Sequence, residues 1–336
     1  PIPLADAHAD GVRAHKLSGL IARQTPHWGR SRREYHGLTR GWIANEIVVR
    51  ADPLGRTIGE FVCQEIVAPL ENLAARESIE SRRKMALLTG ISQQQRAEST
   101  LHVAALGGGP EMTTWAVLQS LLPPPWQLVE VPLGLAIVWP LWLMVSSVRR
   151  LLRCCGICGG GDEHEPGGIT PDIGPGIVAK FNDPRVAAIE IPSANFHSNA
   201  RTMAAVMNVL CGGGARNGVE FLGKDGLKAA LGNPVVLPTF GPITTEFTNA
   251  GWNVYRRGGG GWTFPHRWGF VGWQGLGGSV MQFHPERDLA FAYAMTQMAP
   301  KLDPNARSWR LQRAFERCAA RAATASTSRT EPTRSA

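Results

Sequence analysis

Residues 270–298 constrain this chain more than any other stretch. Gly272-Trp-Gln-Gly275-Leu-Gly277-Gly278-Ser279 is a glycine-dense turn that leads into Val280-Met-Gln-Phe283. His284-Pro-Glu-Arg-Asp288 follows, and then the small or apolar run Leu289-Ala-Phe-Ala-Tyr-Ala-Met295. Two short apolar runs around a Pro/Asp turn predict an antiparallel hairpin, with 268–273 as the strand that enters it. Glycines packed into a strand edge mean that something approaches the backbone closely, either a substrate or another segment of the chain.

At 336 residues the chain has length for one large domain or two ordinary ones, and it can bury a sizeable core. A hydrophobic content of 43% with 18% charged residues describes a globular protein. The net charge of +8 comes from arginine spread along the chain, densest at Arg30-Ser-Arg-Arg33. No basic stripe interleaved with aromatics accompanies it, so nucleic acid is not expected as a partner.

Four parts are expected. Residues 1–105 are helical. Within them Val12, Leu17, Leu20 and Ile21 recur loosely, residues 25–34 read as a loop, and a helix follows through Trp42, Ile43, Glu46, Ile47 and Arg50 until Asp52-Pro-Leu-Gly55 breaks it. Thr57-Ile-Gly-Glu60 is a capping box, and Ile58, Phe61, Val62, Glu65 and Ile66 continue at helical spacing to Pro69, which is expected to end the helix. Residues 71–105 are charged and helical in character.

Residues 106–178 read as an insertion. Within it, the 18 residues 131–148 carry no charge and run into Arg149-Arg-Leu-Leu-Arg153-Cys154-Cys155. That length is the lower limit for crossing a bilayer, the basic run suits an anionic face and the cysteines can be acylated. Pro140 and Ser146-Ser147 weaken that reading, and a buried hairpin, an interfacial segment or a structureless insert stay open. Cys154 and Cys155 just precede the glycine-rich linker 156–175, and Cys158 and His164 lie in it, but zinc takes two ligand pairs and no second pair exists nearby, so neither metal nor cofactor is expected.

Residues 179–323 hold the remainder. Ser198-Asn199 can cap a helix whose Met203, Val206, Met207 and Leu210 fall on one face, with Gly212–Gly214 stopping it. Two short elements occupy 217–245, and 247–255 reads as a strand, followed by a glycine turn at 258–261. A helix over 306–322 presents Trp309, Leu311, Phe315 and Ala319, and the Ser/Thr/Arg-rich tail 324–336 is expected to be disordered.

Several of these landmarks, in this order, resemble the serine β-lactamase-like family, in its class C β-lactamase and esterase-like branch. They are Tyr35-His-Gly-Leu-Thr-Arg-Gly-Trp42, Arg56-Thr-Ile-Gly-Glu-Phe61, Pro69-Leu70, Ile191-Pro-Ser-Ala-Asn195, Asn199-Ala-Arg201, and Gly272 to Ser279 with Phe283 and Pro285. The resemblance implies an α+β fold, an antiparallel β-sheet flanked by helices, with the site between sheet and helical region. It implies a serine hydrolase that forms an acyl-enzyme from a small-molecule ester or amide.

In that family a Ser-x-x-Lys supplies nucleophile and base, a tyrosine loop shares the proton traffic, and a Lys/His-x-Gly strand lines the site. By resemblance Tyr35 is the proton-transferring tyrosine, its pKa held down by a neighbouring lysine. Trp273-Gln274-Gly275 is the strand motif, with Gly275 allowing close approach and the Leu276 N–H serving the oxyanion. Trp273 stands where branch members carry histidine. An indole donates one hydrogen bond but exchanges no proton.

Ser81-Arg-Arg-Lys84 is the one Ser-x-x-Lys in the sequence. It follows Tyr35 instead of preceding it and lacks the apolar flanks of a buried catalytic turn, so it is read as coincidence. The chain starts at Pro1, and the expectation is an N-terminally truncated domain, impaired on its own. The alternative is a catalytically inactive binding or scaffolding relative, membrane-attached through 131–155. His197 and His284 are read as loop or turn residues.

Overall fold

The computed structural model describes residues 2–25, 36–76, 85–97, 103–107, 168–169, 177–240, 243–256, 267–275, 277–298 and 306–330. The chain opens with β1 (Ile2–Pro3), a 3-10 turn (Leu4–Ala7) and the short helices α1 (Ala9–Arg13) and α2 (Ser18–Ala22). Helix α3 spans Thr39–Ala51, α4 Ile58–Phe61 and α5 Ala68–Arg76. Then come β2 (Leu87–Leu88), α6 (Gln93–Ala97), β3 (Gly168–Ile169), α7 (Ile177–Asn182), α8 (Pro184–Ala187), β4 (His197–Ser198) and α9 (Ala200–Cys211). The last part holds β5 (Ala215–Arg216), β6 (Val219–Glu220), α10 (Lys224–Leu231), β7 (Val235–Phe240), β8 (Ile243–Phe247) and β9 (Asn253–Val254). It closes with β10 (Val271–Gln274), β11 (Val280–His284), β12 (Leu289–Tyr293) and α11 (Ala306–Thr330).

Six strands form one antiparallel sheet in the order β12-β11-β10-β9-β8-β7. The expected hairpin is present: β11 pairs with β12 from Val280↔Tyr293 to His284↔Leu289. Alternation along β11 divides the core. Phe283 faces α9, joining Val206, Met207, Leu210 and Val271, whereas Val280 joins Phe270, Phe291 and Tyr255 with Phe315 of α11 packed on them. Asn199 caps α9 as expected, accepting from the Thr202 N–H at 2.9 Å.

A third cluster joins the first helices to the segment around residue 190. Val12, Leu17, Trp42 and Val49 pack with Val186, Ile189 and Ile191. At its centre lies Glu190, 3% exposed. Its Oε2 accepts from Asn45 Nδ2 at 2.7 Å and its Oε1 from Thr57 Oγ1 at 2.7 Å. The Trp42 indole donates to its backbone carbonyl at 2.9 Å. Asn45 in turn accepts the Ile58 N–H at 2.7 Å. Burial pushes the Glu190 carboxyl up, and the hydrogen bonds from Thr57, Asn45 and the Gly59 N–H oppose that rise.

The expected capping box is real: Thr57 N–H donates to Glu60 Oε2 at 2.9 Å, and Glu60 N–H to Thr57 Oγ1 at 3.3 Å. Pro69 does not end the helix. Val62–Val67 form a π-helical turn, with the Ala68 N–H bonded to the Cys63 carbonyl, and the helix continues to Arg76. The wider turn gives the proline ring room that a carbonyl four residues back would deny it.

Other expectations are corrected. Within 71–105 a strand appears, as Leu87–Leu88 pairs with His197–Ser198. Residues 247–255 are not one strand, because β8 stops at Phe247 and a turn through Gly251 (φ 77°) leads to β9. In α3 the buried face is Trp42, Asn45, Glu46 and Val49, while Ile47 is 61% exposed. Polar Asn45 goes inward because Glu190 receives it. In α11, Leu311 is exposed while Ser308 and Gln312 are buried, with Gln312 Nε2 donating to Gln282 Oε1 at 2.9 Å. That helix runs to Thr330, past the point where a disordered tail is expected. The apolar stretch 131–148, the cysteine–histidine cluster 154–164, Ser81, residues 25–34 beyond Thr25, the 258–261 turn and residues 331–336 lie outside the described residues.

Glu190→Ala is expected to cost roughly 2–4 kcal/mol in urea unfolding, because it leaves buried Asn45 and Thr57 donors without an acceptor. A second expectation concerns Asp52, whose carboxyl is pulled down to about 2 by hydrogen bonds from the Arg56 side chain and backbone. A depressed folded-state pKa stabilises the fold above the ordinary carboxylate value, and this contribution fades as pH falls toward 2. Thermal melts of wild type and Asp52→Asn are therefore expected to differ above pH 4 and to converge near pH 2.

Candidate active site

The strand motif sits where three local structures meet. β10 pairs with β11 through Val271↔Phe283, Gly272↔Gln282, Trp273↔Met281 and Gln274↔Val280. On its other side Val271 and Gly272 pair with Val254 and Asn253 of β9. Trp273 therefore shares the α9-facing side with Phe283 and Met281. It is half-buried, with its ring centroid 5.9 Å from that of Phe247. Gln274 projects to the opposite side, where its Oε1 accepts from the Arg267 guanidinium at 2.7 Å. Arg267, 3% exposed, lies 4.2 Å from the Tyr255 ring centroid.

The turn after β10 is held by its own backbone: Gly275 N–H donates to Ser279 O at 2.8 Å and Gly278 N–H to Gly275 O at 3.0 Å. Its glycines separate into two kinds. A Cβ at Gly272 would stand 2.2 Å from the Met281 carbonyl oxygen, and one at Gly277, where φ is 84°, 2.8 Å from Met298 Cγ. Those two glycines answer to the chain's own packing. At Gly275 a Cβ would meet only Ser279, at 3.8 Å, an ordinary contact among the described residues. The described residues do not require a glycine there.

Tyr35 and Leu276 lie outside the described residues. The segment after Tyr35 is placed: His36 Nδ1 is 2.9 Å from Thr39 Oγ1, and Ser193 Oγ donates to the Gly37 and Leu38 carbonyls at 2.9 Å each. The Arg40 guanidinium reaches the β8–β9 turn, 2.8 Å from where a Cβ on Gly251 would stand. The start of α3 thus borders the turn next to β9, one strand from Trp273.

The two histidines behave as structural residues. His284 is 6% exposed, its ring set edge-on to Phe270 at 5.4 Å, and its Nδ1 accepts the Glu286 N–H at 3.3 Å. Burial holds its pKa below the ordinary histidine value, which favours the neutral ring. His197 pairs with Leu88 in β4, and burial likewise lowers its pKa. No group of three or more His, Cys, Asp or Glu among the described residues could hold a metal ion. Among those residues no helix is long and apolar enough to cross a membrane.

Sequence reasoning missed Arg267. Its neighbours in sequence, Pro265-His266 and Trp268-Gly269, offer no pattern that marks a buried cation. The signal that could have served is a lone arginine between two aromatic-rich runs.

A family model described as Beta-lactamase matches residues 2–315. The chain belongs to the β-lactamase family. Its fold is the β-lactamase/transpeptidase-like arrangement of antiparallel sheet and helices. Among solved structures it is similar to a family VIII carboxylesterase, with TM-score 0.56 and 19% identity over 94% of this chain and 70% of that one. It is also similar to EstA from Arthrobacter nitroguajacolicus Rue61a, with TM-score 0.55 and 16% identity over 93% and 67%. A penicillin-binding protein homologue from Caulobacter crescentus gives TM-score 0.50 and 22% identity over 91% of this chain. The chain spans 63% of that protein's length. No curated protein matches by sequence.

Gly272→Ala is expected to destabilise the protein by about 1–3 kcal/mol through overpacking against β11. Gly275→Ala is expected to stay within about 0.5 kcal/mol of wild type in the same denaturation experiment.

Proposed function

We propose that this protein is a serine hydrolase of the esterase-like kind, opening small-molecule ester or amide substrates through an acyl-enzyme. The observation that carries this reading is Gly275. Its missing Cβ serves no packing need among the described residues, yet it directly follows a tryptophan-bearing strand in a β-lactamase-family chain. A carbonyl group laid against that strand uses such a gap.

In the proposed reaction, a serine oxygen bonds to the substrate carbonyl carbon while its proton passes to a base, and the carbonyl oxygen takes the negative charge. The N–H of Leu276 donates to that oxyanion. The carbonyl re-forms as the bond to the leaving group breaks, and the leaving group takes the proton. Water then repeats the sequence on the acyl-enzyme and frees the serine. Tyr35 carries the proton in both halves. Trp273 walls the acyl pocket and contributes one indole N–H without taking part in proton transfer. The nucleophile is a serine hydroxyl, and Ser81 is not assigned that role.

A second reading, a binding relative without turnover, draws on Trp273 in the place of an ionisable side chain. Fluorescent phosphonate labelling separates the two. On the hydrolase reading the longest product of the gene is labelled, and Leu276→Pro, which removes the oxyanion donor, slows labelling and ester turnover by roughly 10²-fold or more. Absence of labelling in any product of the gene would sink the hydrolase reading. Labelling of residues 1–336 alone would return Ser81 to the site.

A further inference from the structure

Helix α11 meets the sheet with one face only. Ser308, Gln312 and Phe315 turn inward at i, i+4 and i+7, and the bond from Gln312 to Gln282 fixes the rotation of the helix. Diametrically opposite stand Arg310, Arg313, Arg317 and Arg321, all exposed. Their spacing of three, four and four residues sets the four side chains in one row, about 16 Å long at a rise of ~1.5 Å per residue. Among the described residues no carboxylate pairs with any of the four. Glu316, the single acid between 306 and 321, is engaged by Arg287 at 2.7 Å. Arg313 is braced over the Trp309 ring, 5.9 Å from its centroid. Like charges three and four residues apart repel, so the row costs the helix stability that a mixed face would keep.

One residue after each arginine stands a small or apolar side chain: Leu311, Ala314, Cys318 and Ala322. Leu311, Cys318 and Ala322 are exposed. Two parallel rows, one cationic and one apolar, therefore run along the outside of α11. A cationic row beside an apolar one on a convex helix suits a surface that lies against a bilayer. Guanidinium groups reach the phosphates there, while their stems and the apolar row rest at the boundary with the acyl chains. Nucleic acid fits less well, because bases are gripped by aromatic platforms or amide side chains, and none stands in either row. A second copy would set like charges against each other.

We propose that the outer face of α11 is a docking surface for anionic lipid headgroups, by which the protein rests peripherally on a negatively charged membrane. Arg310, Arg313, Arg317 and Arg321 supply the attraction, and Leu311 anchors the helix at the interface. Binding neutralises the row and lifts its internal repulsion. The assignment does not depend on the hydrolase reading, since none of these residues belongs to the proposed reaction.

Flotation with vesicles tests this, using phosphatidylcholine alone and phosphatidylcholine mixed with phosphatidylglycerol. The protein is expected to float with the mixed vesicles, to stay behind with the neutral ones, and to be released as salt is raised. The double variant Arg310→Gln/Arg317→Gln is expected to weaken binding about ten-fold or more, with a melting temperature no lower than wild type. Arg23→Gln/Arg76→Gln removes the same charge from exposed positions elsewhere and is expected to bind as wild type does. No flotation with the mixed vesicles, or equal flotation with the neutral ones, would overturn the proposal. So would equal losses in the two variants, which trace the attraction to net charge alone. A duplex oligonucleotide that displaces the vesicles, and whose affinity falls in the Arg310/Arg317 variant, would identify nucleic acid as the occupant instead.

Discussion

The Glu190 carboxylate is the constraint on which the helical half of the molecule turns. A carboxyl group 3% exposed is costly to bury unless it is hydrogen-bonded, and here the donors come from three separate places in the chain. Asn45 sits on α3, Thr57 at the cap before α4, and the Gly59 N–H on the first turn of α4. Both side-chain donors are fixed by another bond, since Asn45 also holds the Ile58 N–H and Thr57 closes the capping box. The glycines nearby follow from the same group: a Cβ at Gly59 would stand 2.5 Å from Glu190 Oε1, and one at Gly90 2.9 Å from its Cγ. One buried carboxyl group therefore dictates side chains from residue 45 to residue 90.

That arrangement also fixes the border of the site. Glu190 leads into Ile191-Pro-Ser-Ala-Asn195, a loop closed on itself by Asn195, which donates to the Val186 and Ile189 carbonyls at 3.1 and 2.7 Å. Ser193 of this loop holds the Gly37 and Leu38 carbonyls. The approach to α3, where the residue after Tyr35 begins, is thereby tied to the same buried carboxylate. The sheet reaches the border from the other direction, through the close contact of Arg40 with the Gly251 turn. The chemistry proposed for this protein needs a tyrosine beside a strand edge, and the residues from Gly37 onward are held by these contacts.

How much of this was legible in the sequence depended on the range of the interactions. The Thr57–Glu60 box, the Asn199 cap and the β11–β12 hairpin are governed by neighbours within a few residues, and each is where the pattern puts it. The inward turn of Asn45 was not legible, because its partner lies 145 residues away and periodicity ranks asparagine as a surface residue. The passage of the helix through Pro69 failed for another reason: the π-turn that admits the ring has no residue signature of its own. Trp273 falls in the strand expected to enter the hairpin, and Gly275 lies just past it, both within reach of the local pattern. The burial of Arg267 was not legible, since it depends on Tyr255 and Gln274 reaching it from two other segments of the chain.

The pairing of Gln282 with Gln312 has a consequence for how the last helix is held. Both amides are almost fully enclosed, on a face otherwise made of Phe270, Val280, Phe291 and Phe315. Hydrocarbon contacts alone would let a helix slip along a sheet, since one apolar neighbour serves nearly as well as the next. An amide that finds its counterpart at a single position does not permit that, because any other offset strands two polar groups in oil. The pair acts as a detent: it adds little to the strength of the attachment and determines where along the sheet the helix comes to rest.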